Sequence, residues 1–147
     1  MAQRFIYRFD TLLRVKELEL KNFVQQESAK KNQIAAIAME IDRRMSEVVE
    51  LQHAIDLRYL ELLRTGFYEL YTVYVNRLEL EIEDFQIKKQ RLDEELKKIT
   101  EGVVLTHREV LKFERIREID RAAYKKIVKR DEIKFLDELS QKKGRKY

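Results

Sequence analysis

Apolar residues recur at every seventh position along the first half of the chain. Read from Leu13, all but one of these positions are aliphatic: Leu13, Leu20, Glu27, Ile34, Ile41, Val48, Ile55 and Leu62. A seven-residue repeat keeps one stripe of a helix facing a neighbouring helix when the two supercoil. The pattern therefore predicts a long helix that needs a partner helix.

A companion series, offset by three or four residues, alternates apolar and basic side chains. It reads Phe9, Lys16, Phe23, Lys30, Ile37, Arg44, Leu51 and Arg58. We call each position of these series a rung. Long basic side chains can lie along an apolar seam with their charged heads in water. Two interpretations stay open: the basic rungs form a solvated edge, or they meet acidic residues of a specific partner.

The second half of the chain carries a similar pair of series. Its rungs are Tyr71, Leu78, Phe85, Leu92, Ile99, Thr106 and Phe113, with Val75, Ile82, Lys89, Leu96, Val103 and Val110 between them. Between the halves, Thr65-Gly66 is the clearest helix stop, because glycine accepts the left-handed backbone that ends a helix. The pattern keeps its phase through Gly102. We therefore expect the second helix to continue there, at a cost of about 1 kcal/mol.

These series predict an all-α fold of two long helices in an antiparallel coiled-coil hairpin, with the C-terminal helix longer and overhanging. We expect one domain, residues 1–147: helix 1 at about 10–64, a turn at about 65–70, helix 2 at about 71–140 and a basic tail at 141–147. Pairing about Gly66 sets Leu13 opposite roughly residue 119. Residues from about Tyr124 onward then lack an internal partner, and an isolated amphipathic helix is marginal in water.

Composition favours long exposed helices, with 44% hydrophobic and 39% charged residues. The chain has no cysteine, which rules out disulfides and cysteine-ligated zinc. No apolar run approaches the roughly 18 residues of a membrane span, and the first residues lack the apolar stretch of a signal peptide. We expect a cytoplasmic protein without an integral membrane segment.

Charge is unevenly distributed along the chain. Residues 1–16 carry a net +3, residues 17–106 a net −5 and residues 107–147 a net +6. In a hairpin, both basic segments would lie at one end, where they would attract an acidic partner. The acidic middle argues against nucleic acid lying along the helices, so nucleic acid is not the expected partner.

Catalytic chemistry is not evident in the sequence. Glu50 and His53 spell the Glu-x-x-His of di-iron bundles, but the matching position before His107 is Val104, so the required second copy is missing. The two histidines, three serines and no cysteine leave no nucleophile and base at a recognisable spacing. We expect no cofactor and no enzymatic activity.

Aromatic residues cluster just after the predicted turn, within residues 67–74, FYELYTVY. Two interpretations stay open for this cluster. The rings pack the turn against the first helix, or they form an exposed patch for a partner, since clustered Tyr and Phe are typical interface anchors.

Both ends of the chain resemble the flagellar export protein FliJ family. Residues 7–17, YRFDTLLRVKE, combine alternating aromatics, a leucine pair and a following basic residue at the start of a Glu-rich helix. Residues 129–139, KRDEIKFLDEL, are similar to the terminal helix of that family, in which an apolar residue followed by Asp-Glu recurs.

The resemblance implies a small cytoplasmic component of the flagellar type III export apparatus, similar to the stalk coiled coil of rotary ATPases and peripherally associated with the inner membrane through the export gate. The implied partners are the hexameric export ATPase, the cytoplasmic domain of the export gate protein and the export substrate chaperones. The expected ATPase-binding residues are Arg4, Arg8, Lys125, Lys126, Lys129, Arg130, Phe135 and Leu136. The expected gate-facing patch is Tyr59, Tyr74, Leu78 and Phe85.

Two other functions compete with this one. A stalk of a virulence type III secretion system is the near relative. A structural or nucleic-acid-binding coiled coil belongs to a different class, and its affinity would fall steeply with salt because phosphate neutralisation releases counterions.

Overall fold

Three helices make up the secondary structure of residues 4–145. The computed structural model describes residues 4–145 and contains α1 (Asp10–Leu57), α2 (Tyr59–Thr65) and α3 (Tyr68–Arg145). No β-strand occurs among residues 4–145. The fold is all-α, as the seven-residue repeats predict.

The first long helix is interrupted at Arg58, earlier than the end near residue 64 expected from the sequence. Arg58 has φ −117° and ψ 23°, which lies outside the helical range. Backbone hydrogen bonds continue on both sides: the Arg58 amide donates to the Ala54 carbonyl at 3.1 Å, and the Leu62 amide donates to the Arg58 carbonyl at 2.8 Å. The short α2 therefore follows α1 as a separate helix, with Leu62 buried.

The turn and the ends of α3 also differ in detail from the expected bounds. The chain turns at Gly66, whose φ of 75° is the left-handed conformation that ends a helix. Helix α3 begins at Tyr68 instead of near residue 71, and it extends to Arg145. Residues 141–145, which we expected in a basic tail, are helical, because no proline interrupts the backbone hydrogen bonds there.

Close contacts divide the chain into two units, a finer division than the single domain expected from the sequence. The middle unit is residues 23–102, and the terminal unit combines the residues up to Asn22 with those from Val103 onward. The core of the middle unit is Ile41, Val48, Val75, Leu78 and Ile82. The core of the terminal unit is Tyr7, Leu13 and Val110.

The rungs of both halves form the buried face of the helices. Every rung except Arg58 is buried or half-buried. Among the described residues, Tyr7 is the only buried side chain that does not occupy a rung. The seven-residue pattern therefore identifies the fully buried residues of α1 and of α3 as far as Phe113.

The basic rungs of α1 are paired with glutamates of α3. The ion pairs are Lys16–Glu109 at 2.9 Å in the terminal unit, and Lys30–Glu95 and Arg44–Glu81 in the middle unit, the last at 2.9 Å. These hydrogen bonds lower the pKa of Glu81 and the pKa of Glu95, because a carboxylate that accepts from a cation resists protonation. The acidic residues that Lys16, Lys30 and Arg44 meet thus belong to the same chain, whereas the exposed Arg58 forms no ion pair among residues 4–145.

The pairing of α1 with α3 differs from the expected one by one seven-residue repeat. In all three ion pairs the two residue numbers add to 125. Leu13 accordingly clusters with Val110. A shift of seven residues still places most apolar rungs opposite apolar rungs, so the hydrophobic pattern alone distinguishes the two alignments poorly.

Candidate protein-interaction surfaces

The C-terminal part of α3 exposes basic and apolar side chains together. Lys125, Lys126, Lys129 and Arg130 are all exposed. Phe135 and Leu136 follow with 62% and 63% of their surface exposed. From Lys129 to Gly144 every side chain is exposed. We call Lys125, Lys126, Lys129, Arg130, Phe135 and Leu136 the basic end; no part of the described chain covers it.

The N-terminal segment before α1 packs its aromatic side chains on α3. The Tyr7 hydroxyl donates a hydrogen bond to the Phe113 carbonyl at 2.7 Å, and burial raises the pKa of Tyr7. The Phe5 ring lies 5.5 Å from the Tyr124 ring, centroid to centroid. The alternating aromatic side chains therefore anchor this segment next to Tyr124, which directly precedes the basic end.

Arg4 and Arg8 are both exposed on that segment. The Arg8 guanidinium lies 4.5 Å from the centroid of the Phe9 ring, within the range of a cation–π contact. The aromatic residues that alternate with these arginines face α3. The charges of Arg4 and Arg8 remain available at the surface of the terminal unit.

The four residues expected to face the export gate do not form one surface. Tyr59 and Tyr74 are 48% and 41% exposed, but Leu78 is only 4% exposed and belongs to the core. Leu78 contacts the other core residues of the middle unit, so it has no surface to offer a partner. Phe85 is half-buried against the same core, with the Arg44 guanidinium 4.5 Å from its ring centroid.

The two exposed tyrosines are held by neighbours in the middle unit. The Tyr74 hydroxyl donates to a Glu47 carboxylate oxygen at 2.6 Å, and this bond raises the pKa of Tyr74. The Tyr59 ring meets the Tyr68 ring edge-on at 5.5 Å. Both rings are thereby fixed while a large part of each remains exposed, as in a pre-organised binding surface.

Sequence reasoning missed an apolar surface around α2. Leu57, Leu60, Leu63, Phe67 and Leu70 are each about half exposed or more, between 48% and 72%. None of them occupies a rung, and this is the signal that separates them from the core. Of the aromatic cluster after the turn, Phe67 and Tyr74 are exposed, which favours a surface patch for those two rings.

Within residues 4–145, no three His, Asp or Glu side chains converge in an arrangement that would hold a metal ion. None of the helices described is long and apolar enough to cross a membrane. Comparisons of the chain with protein-family models, with curated proteins and with solved structures give no match.

Proposed function

We propose that this protein is a non-enzymatic component of the bacterial flagellar type III export apparatus. In this proposal the chain is an antiparallel coiled-coil hairpin that acts as a stalk, coupling the hexameric export ATPase to the export gate protein and escorting substrate chaperones. The resemblance of residues 7–17 and 129–139 to the FliJ family motivates the assignment.

The basic end of α3 is the observation that carries this proposal. Phe135 and Leu136 are exposed beside Lys129 and Arg130, and no contact within the described chain removes these apolar side chains from water. An isolated amphipathic helix of this kind is only marginally stable. An acidic partner would neutralise the cations and bury the apolar groups at once. The opening of an ATPase ring lined by acidic loops is a partner of that chemistry.

The hairpin part of the proposal draws support from the order of the contacts. In the middle unit, Lys30 pairs with Glu95 and Arg44 pairs with Glu81, so a later residue of α1 meets an earlier residue of α3. In the terminal unit, Lys16 meets Glu109 at the same residue-number sum. This reversed order is the contact pattern of antiparallel helices.

The test replaces the charges of the basic end without shortening the helix. A variant with glutamate at positions 125, 126, 129 and 130 should no longer stimulate ATP hydrolysis by a purified hexameric flagellar export ATPase. A matched control reverses two exposed lysines elsewhere, Lys21→Glu with Lys98→Glu, and should still stimulate the ATPase. Unchanged stimulation by the first variant, with helicity intact by circular dichroism, would remove the stalk assignment.

Gate binding is tested separately through the exposed tyrosines of the middle unit. Tyr59→Ala with Tyr74→Ala should weaken binding to the cytoplasmic domain of the export gate protein and leave ATPase stimulation unchanged, because the variant leaves the basic end intact. Surface plasmon resonance with the purified gate domain measures the first effect. Loss of both activities, or of neither, contradicts a division of labour between these surfaces.

A further inference from the structure

In the middle unit, the exposed side of α3 carries acidic residues that form no ion pair among residues 4–145. Glu79, Glu83, Glu94 and Glu101 are separated by steps of four, eleven and seven residues, and all four are exposed. At 3.6 residues per turn, each of these steps returns to within about 40° of the same direction. The four glutamates therefore share one side of the helix, which we call the acidic face.

The terminal unit carries the complementary pattern on the same helix. Arg108, Arg115, Lys126 and Arg130 are separated by seven, eleven and four residues, and they are exposed as well. These are the steps of the acidic face in reverse order. We call this side the basic face; Val104, Leu105 and Ile119 lie on it with 44%, 60% and 62% of their surface exposed.

None of these eight charged side chains takes part in an ion pair between residues 4 and 145. By contrast, the basic rungs Lys16, Lys30 and Arg44 are paired with glutamates on the opposite side of α3. Two faces of opposite sign and matched spacing therefore remain without ion-pair partners within the described part of the chain. Complementary faces of this kind set the alignment and the specificity of helix pairing.

We propose that the basic face of one copy of this chain pairs with the acidic face of a second copy, with the two α3 helices running in opposite directions. In this alignment the residue numbers of opposed positions add to 209, and the ion pairs are Arg108–Glu101, Arg115–Glu94, Lys126–Glu83 and Arg130–Glu79. A shift of seven residues retains none of these four pairs and brings only one glutamate of the acidic face opposite a cation of the basic face, Arg115–Glu101 in one direction and Arg108–Glu94 in the other. This inference does not rest on the proposed export function.

Some apolar positions agree with the same alignment, although Ile119 lies opposite Gln90. Val104 lies opposite Leu105 of the second copy, and the exposed Ile87 lies opposite Ala122. On the two faces themselves, one opposed position carries like charges, because Lys97 meets Lys112. Because these two lysines repel one another, reversing the charge of Lys97 should strengthen the association.

The experiment is sedimentation velocity of the full chain, with salt raised from roughly 0.01 M to 1 M so that exposed charges become screened. The unmodified protein should form dimers that dissociate as salt increases. Arg115→Glu and Glu94→Arg should each weaken the dimer at least about tenfold, because each places like charges opposite one another. The two changes combined in one chain should restore dimerisation, and Lys97→Glu should tighten it.

Lys21→Glu, an exposed change on α1 outside both faces, is the matched control and should leave the dimer unchanged. Arg115 and Glu94 do not belong to the basic end, so these variants should still stimulate the export ATPase; failure of the dimer and failure of the proposed function are thus distinguishable. A protein that stays monomeric at low salt overturns the proposal. So does a dimer that neither responds to Arg115→Glu nor recovers in the double variant. A monomer that binds heparin through Arg108 and Arg115 would overturn it too, and would assign the basic face to a different acidic partner.

Discussion

The contact between Phe23 and Gly102 explains a glycine that the sequence pattern leaves without a role. Gly102 lies inside α3, and the nearest carbon of the Phe23 ring is 3.0 Å from the position a Cβ would take. Phe23 is one of the apolar rungs of α1. A small residue at position 102 lets the large ring of Phe23 approach the α3 backbone, which offsets the low helix propensity of glycine.

Gly102→Ala tests this contact. Alanine favours a helix over glycine by about 1 kcal/mol, but the new methyl group must displace the Phe23 ring, so the net gain in the unmodified background should be small or negative. In a Phe23→Leu background, where the ring is gone, the full gain of about 1 kcal/mol should appear in the free energy of unfolding. Urea denaturation followed by circular dichroism measures both values.

Gly144→Ala is the control for that comparison, because no atom lies within 4 Å of its would-be Cβ. Its effect should be the same in both backgrounds. An equal effect of Gly102→Ala with and without the Phe23 ring would mean that the ring does not constrain position 102.

At the scale of the helices, the sequence predicts the buried face well and the alignment of α1 with α3 poorly. The rungs Ile41, Val48, Leu78 and Ile82 are buried as their seven-residue spacing requires. Because of the same spacing, a shift by seven residues is difficult to detect from the hydrophobic pattern alone. The information on alignment lay in the charged rungs, since Lys30 meets Glu95 in only one of the two arrangements.

The candidate surfaces, too, can be predicted from the sequence only in part. Leu78 belongs to the expected gate-facing patch although it occupies a rung, and a rung on a packed helix is buried. The interruption at Arg58 was not predicted, because Arg58 continues the basic series and no proline or glycine marks the site. Exposed Leu57 and Leu60 follow from their positions off the rungs, so that part of the surface was accessible to sequence reasoning.

Ile41→Asp tests whether the rungs hold the helices together. Ile41 is 7% exposed in the core of the middle unit, so a carboxylate there would be buried without a partner. We expect a loss of several kcal/mol, roughly 3–5, in the free energy of unfolding. Met39→Asp is the control, because Met39 is 73% exposed and two residues away. Thermal denaturation should separate the two variants clearly; equal melting curves would mean that position 41 faces water.

Across the whole molecule, charges near the packing face are paired within the described chain, whereas many outer charges are not. The net charge of +4 is the sum of an acidic stretch at residues 17–106 and two basic segments, residues 1–16 and 107–147. Glutamates of α3 such as Glu81 and Glu95 are used inside the chain, where each accepts a hydrogen bond from a basic rung of α1. Stability should therefore depend on pH through these paired groups, whereas association with partners should depend on the unpaired outer charges.

The free energy of unfolding should decrease as the pH is lowered through the acid range, which we call the acid limb of the pH dependence. The pKa values of Glu81 and Glu95 lie below the usual 4.5 in the folded protein, because Arg44 and Lys30 donate hydrogen bonds to the charged carboxylates. The folded state then binds fewer protons than the unfolded state near that pH. The stabilisation is fully present above the unfolded value and is lost as pH falls through the lower folded values.

Urea denaturation at a series of pH values should accordingly show the free energy of unfolding falling as the pH drops below about 4.5. In Glu81→Gln with Glu95→Gln the acid limb should be shallower, and stability at neutral pH should be lower, because an amide accepts a weaker hydrogen bond from Arg44 or Lys30 than a carboxylate does. Glu17→Gln with Glu50→Gln, at exposed positions that form no ion pair among residues 4–145, should leave the acid limb as it is. If both double variants flatten the acid limb equally, the general charge of the chain controls its stability at acid pH, and the ion pairs between α1 and α3 do not.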